Sequence, residues 1–171
     1  MELLLSGFRS QIEQIVPRSL SARGVYLCPV TTIDELPGKI STTARNFVLL
    51  LACNAESLRG EEIEHVASKL VEQGLAYFCA WGSDCERVHD LFDAAAQGKN
   101  EQLVGEDVVM TTSHKDESLL EALWFFLHSA FPTRYFETSC TDWVIAVVGN
   151  PAWEEEIRTK IMEAAFEPPS E

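Results

Sequence analysis

Cations are scarce in this sequence: 13 Lys and Arg stand against 27 Asp and Glu, a formal net charge of −14. Phosphate-backbone binding draws its affinity from clustered cations, so this balance argues against a nucleic-acid partner. It discourages an anionic membrane surface for the same reason. A basic protein partner, or plain colloidal solubility, suits the sign better. The five cysteines (Cys28, Cys53, Cys79, Cys85 and Cys140) make no CxxC and no metal-ligand spacing. Cys28, Cys53 and Cys79 sit in apolar runs, where a free thiol behaves as a small hydrophobe. An odd, scattered set points to a reducing cytoplasm, not a disulfide framework. No apolar run approaches the roughly 20 residues of a membrane span. The opening Met1-Glu2-Leu3-Leu4-Leu5 carries an acid where a leader needs a base, so no signal peptide is expected. No GxGxxG follows a strand-like run and no Walker sequence occurs. Nucleotide binding is therefore unsupported, and no cofactor is called for. Repeats and low-complexity tracts are absent as well.

What is present is a regular alternation of short apolar runs and amphipathic segments. With 171 residues, 46% of them apolar, the chain can bury a real core as one folded unit. Leu4, Phe8, Ile12, Ile15 and Val16 recur near helical spacing and predict a helix over 2–20, ended or kinked by Pro17. Val25 to Val30 reads as a strand that Pro29 demotes to a sheet edge. Residues 31–45, with Pro37-Gly38 inside, read as an extended arm. From 46 onward the pattern tightens. Phe47 to Cys53, Leu75 to Trp81, Asp107 to Thr112 and Trp143 to Val148 are strand candidates, and Arg134 to Thr138 offers a short further one. The unbroken apolar runs imply burial on both faces, the mark of a parallel sheet between helices. Helices are expected after Glu61, at Ser83 (capping box Ser83–Glu86, closed by Gly98), at Ser118 (capping box Ser118–Glu121) and at Asn150-Pro151. Strands alternating with helices make βαβ units. The fold class is α/β: a three-layer sandwich with a mainly parallel sheet, plus an N-terminal helix and edge strand. The division expected is 1–45 for helix and arm, 46–166 for the α/β core, and 167–171 for a tail after Pro168-Pro169.

In such sheets ligands bind beyond the carboxyl ends of the strands. Asn54 to Glu56, Gly82 to Cys85, Thr112 to Glu117 and Gly149-Asn150 should share that edge. Candidate catalytic residues are Cys85 and His114 as a thiol–imidazole pair, with Glu117 or Asp116 orienting the ring. Cys85 lies in a helix's first turn, where the dipole favours a thiolate by about 0.3–1 kcal/mol. That is less than one pKa unit, and Asp84 and Glu86 oppose it. Without the imidazole beside it, Cys85 is an ordinary thiol. Asp84, Asp116, Ser83 and Asn54 are the candidate ligand-binding residues. A weaker alternative gathers Asp84, His114 and Asp116, with His89, around a divalent ion, although the spacing matches no zinc or calcium motif. Ser83 lacks the second glycine of a nucleophile elbow, so capping explains it better. His65 and His128 fall mid-helix. Trp81, Trp124, Trp143 and Trp153 read as core anchors.

Ala80-Trp81-Gly82-Ser83-Asp84-Cys85, Val109 to His114, Asp116-Glu117, Trp124-Phe125 and His128-Ser129-Ala130 form a connected set of motifs. On these residues the stretch from Leu75 to Pro132 resembles a bacterial family known only as a domain of unknown function. Family members commonly carry an aromatic residue where this chain has Ser113. The resemblance implies that both turns belong to one pattern, as a shared site or a shared structural lock. It implies no activity. The functional expectation is a small acidic cytoplasmic module that binds a protein partner in a regulatory or accessory role. The alternative is a hydrolase or transferase using Cys85 and His114.

Overall fold

The computed structural model describes residues 12–16, 23–40, 42, 44–100 and 108–166. The strands are β1 (Glu13–Val16), β2 (Gly24–Val30), β3 (Asn46–Ala52), β4 (Leu75–Trp81), β5 (Met110–Ser113) and β6 (Cys140–Val148). The helices are α1 (Leu36–Lys39), α2 (Gly60–Glu72), α3 (Cys85–Asn100), α4 (Leu119–His128) and α5 (Pro151–Phe166). The strands form one sheet in the order β1-β2-β6-β3-β4-β5. Every pair is parallel except β1 with β2.

The continuous apolar run of β3 explains the layering. Phe47, Leu49 and Leu51 enter one core with Ile63, Leu70 and Phe92 of α2 and α3. Val48, Leu50 and Ala52 alternate into the other, with Phe126 of α4 and Ile157 of α5. A strand buried on both faces has no polar side to offer, so both faces must be roofed by helices. The expected α/β sandwich is what the chain forms. On the first face, Phe78 stacks on Phe92 with ring centroids 3.7 Å apart. Truncating such a buried ring costs about 3–5 kcal/mol. On the second, Trp143 donates its indole N–H to the Phe126 carbonyl at 3.1 Å, which satisfies a buried polar atom.

Several local expectations are corrected. Residues 13–16, placed in a helix over 2–20, form β1 instead; the rest of that predicted helix, apart from buried Ile12, lies outside the described residues. Four residues cannot separate a helical from a strand repeat, and pairing with β2 decides it. β2 is no edge strand, because β1 and β6 flank it. Pro29 is tolerated because, among the described residues, β1 pairs only with Val25 to Leu27 and leaves Pro29 past its end, exposed. Arg134–Phe136 is a 3-10 turn, not a strand. β5 begins at Met110, three residues later than predicted, and α3 runs through Gly98 without stopping. The tail after Phe166 lies outside the described residues.

Because β2 to β6 run parallel, the segments after all five leave by one edge of the sheet. The 3-10 turn Ile33–Glu35 and α1 to α3 cover the first face, and α4 and α5 the second. Consecutive connections therefore part to opposite sides around β6.

Candidate functional site

β4 ends at Trp81, and Gly82 then turns with φ +117. A Cβ at this position would overlap the Cys53 carbonyl, so only glycine lets the two backbones approach. The turn is fastened to the end of β3: Cys53 N–H donates to the Trp81 carbonyl (3.0 Å) and Ala55 N–H to the Ser83 carbonyl (3.0 Å). The Ser83 hydroxyl donates to Asn54 Oδ1 at 2.9 Å. Ser83 therefore ties two loops together and does not cap α3 as expected. Glu86, its expected capping partner, instead receives Lys115 Nζ at 3.1 Å from the turn after β5. Asp84 adopts φ 60, and its carboxylate accepts from Arg87 Nε at 2.7 Å. Arg87 also donates to the carbonyls of Ala55 and Leu58.

The turn after β5 is parallel in construction. His114 N–H extends the ladder to the Ala80 carbonyl at 2.9 Å, and Asp116 again adopts φ 60. Aspartate is among the few residues that visit this region without large strain. Ser118 and Glu121 form the reciprocal cap predicted for α4, at 3.1 and 2.6 Å. Trp81 Nε1 reaches across to the Glu117 carbonyl at 2.8 Å. The two turns open on a common cleft of about 210 Å³, lined by Gly82 to Glu86 with Lys115 and Asp116.

The cleft does not hold a thiol–imidazole pair. His114 is buried, and its ring packs on Phe125 of α4, 4.5 Å between centroids, on the second face of the sheet. Nδ1 meets Glu117 Oε2 at 2.9 Å and Nε2 meets Thr112 Oγ1 at 3.0 Å. A carboxylate can only accept, so Nδ1–H donates to Glu117, while Nε2 shares the Thr112 hydroxyl with Cys79 Sγ, 3.5 Å from that oxygen. Glu117 thus orients the ring as the sequence suggested. Cys85, in contrast, belongs to the core on the first face with α2 and α3. Its sulfur contacts the backbone N–H of His114, while both ring nitrogens are engaged elsewhere. Burial pushes the Cys85 thiol up from its usual value, partly offset by that N–H. A thiol held in its protonated form is a poor nucleophile.

Of the other candidates, Asp84, Asp116 and Ser83 line the cleft, and Asn54 supports it from the loop after β3. The metal alternative is not assembled: His89 bonds to Asp90 at 3.0 Å, and among the described residues no three His, Cys, Asp or Glu stand together as a metal site. His128 bonds the Ala164 carbonyl at 2.8 Å, and Trp81 meets Trp153 edge-on at 4.8 Å, both packing roles. Arg87, Lys115 and Thr112 carry the geometry without having been singled out, and Glu86 does so as the partner of Lys115, a role not expected of it. Thr112 precedes His114 by two strand positions and so shares its side, a legible signal. Arg87 follows Asp84 at the i+3 spacing of a helical ion pair, which is legible too. The Lys115–Glu86 pair spans separate elements and leaves no local trace.

A model of the family described as Domain of unknown function (DUF7684) matches residues 25–164. The chain belongs to this family. No curated protein and no solved structure matches it. The DUF7684 match takes in β2 through most of α5, and with them both turns and the cleft between them. Among the described residues no helix is long and apolar enough to cross a membrane.

Proposed function

We propose that this protein is a small acidic binding module of the cytoplasm, regulatory or accessory in role, whose partner is a basic protein surface. The carboxyl rim of the sheet is the docking face. What supports this reading is how the rim spends its polar groups. The groups suited to covalent or acid–base chemistry are already engaged: His114 between Thr112 and Glu117, Ser83 on Asn54, and Cys85 under α3 with its thiol protonated. Around the Gly82–Asp116 cleft the cations are likewise spent, Arg87 on Asp84 and two carbonyls, Lys115 on Glu86. Glu56 and Asp116 remain exposed there. A surface with neutralised cations and open carboxylates attracts a cationic partner and repels polyanions.

A direct test compares the wild type with the double variant Glu56→Lys, Asp116→Lys as bait, with circular dichroism confirming the fold of both. The wild type should retain a basic partner that elutes as salt screens the interface, and the variant should lose about tenfold or more in affinity. Equal retention by both baits, or salt-indifferent binding, rejects the docking face.

A further inference from the structure

A second crevice opens on the same edge, between the segments after β2 and β6. Its floor is Val30, Thr31, Gly149 and Asn150, where adjacent strands β2 and β6 end. Their continuations part: the turn after β2 folds onto the first face through Ile33 and Leu36, and α5 onto the second through Ile157 and Ile161. Neighbouring parallel strands whose connections go to opposite faces leave a gap that nothing in the sheet fills, the position where open α/β sheets take ligands. The gap measures about 470 Å³, more than twice the Gly82–Asp116 cleft and within the range of small-molecule sites. Gly149, at φ +59 and with any Cβ coming 3.1 Å from the Thr31 carbonyl, keeps the floor open and the strand ends close.

The walls carry opposite charges. Lys39 lies on the α1 side and Glu154 on the α5 side. Glu35 lines the crevice too; its Oε1 accepts from the Thr32 N–H and hydroxyl at 3.3 and 3.2 Å, which fixes the carboxylate in place and leaves its charge. Much of the first turn of α5 is taken up, since Pro151 has no N–H to offer and Asn150 takes the Trp153 N–H on its side chain (3.2 Å) and the Glu154 N–H on its carbonyl (3.2 Å). The helix end is therefore not what would draw a ligand. Lys39 and Glu154 make no side-chain hydrogen bond or ion pair with any described residue, and these two charges, with the fixed Glu35 carboxylate, set the chemistry: one cationic group facing carboxylates. A simple anion would satisfy Lys39 and meet Glu154 unfavourably, and a simple cation would do the reverse. We propose that this crevice binds a small zwitterion of the amino-acid type, its carboxylate toward Lys39, its ammonium toward Glu154, with the Thr31 hydroxyl and Asn150 at the floor.

The crevice lies at the β2–β6 part of the rim and shares no lining residue with the Gly82–Asp116 cleft, so it can fail while the docking face stands. The test is a thermal-shift screen of the full chain against each of the twenty free amino acids and against acetate and ethylamine, followed by calorimetry. At least one amino acid should raise Tm by about 5 °C at a concentration about 100-fold above its Kd, and neither single-charge compound should do so. Lys39→Met and Glu154→Gln, both surface changes, should each weaken that binding about tenfold or more. Lys115→Met, in the other cleft, should leave it unchanged. Absence of any response across the amino acids overturns the proposal, as does binding that survives both crevice variants or is lost in Lys115→Met.

Discussion

His114 is a buried polar group with both ring nitrogens satisfied, and such groups are costly to disturb. His114→Ala strips Thr112 and Glu117 of a partner and empties space against Phe125. It should cost about 2–4 kcal/mol, read from urea unfolding midpoints. Glu117→Gln keeps the volume and should cost less. The buried thiols give a pH signature. Cys79 is pushed from 9.0 to about 12 and Cys53 to about 11, both chiefly by burial. A raised folded pKa means that the unfolded chain releases its protons first, so their contribution is fully present below about pH 9. It is lost progressively as pH climbs from 9 toward 11–12, at up to about 1.4 kcal/mol per pH unit for each thiol. Cys79→Ala should flatten the alkaline fall of Tm while lowering its plateau. At this scale the sequence was half legible. The His114–Glu117 contact follows from an i+3 spacing within one turn. The Cys85–His114 pairing failed because the positive φ values of Gly82 and Asp84 break strand alternation and send Cys85 to the opposite face of the sheet.

The elements separate capping from loop fastening. Ser118 accepts the Glu121 N–H at the start of α4, and Ser118→Ala should cost about 1 kcal/mol. Ser83→Ala loses one part-exposed bond to Asn54 and should cost about half as much. A larger loss for Ser83 in paired denaturation curves would mean that it caps α3 after all. Gly82→Ala meets both the unfavourable φ and the Cys53 carbonyl, so at least about 2 kcal/mol should be lost. Both serines sit in the same S-x-x-E signature, yet only one behaves as written. Ser118 enters its helix from extended backbone, whereas Ser83 is already committed to β3's loop before the helix starts. Local pattern specifies a cap only where no tertiary partner competes for the same oxygen.

For the whole molecule, the α/β class was legible because double-sided burial leaves unbroken apolar runs in β3, β4 and β6. Strand order was not legible. It depends on α4 carrying the chain back across the second face to insert β6 between β2 and β3, a path that no spacing encodes. The Lys39–Glu154 crevice exists only because of that insertion, so its two charges could not be connected beforehand. The N-terminal strand was missed for a similar reason: β1 is defined by pairing with β2 and has no periodicity of its own to read.

If the carboxyl rim is a fastened docking face and not a catalytic thiol centre, the sharpest measurement is the pH dependence of Cys85 alkylation. Iodoacetamide labelling of the native protein, followed peptide by peptide by mass spectrometry, should show the Cys85 rate still rising through pH 9, because burial holds the thiol above that value. A rate that levels off near neutral pH, faster than at the other four cysteines, would show a thiolate activated by a base and would contradict the account.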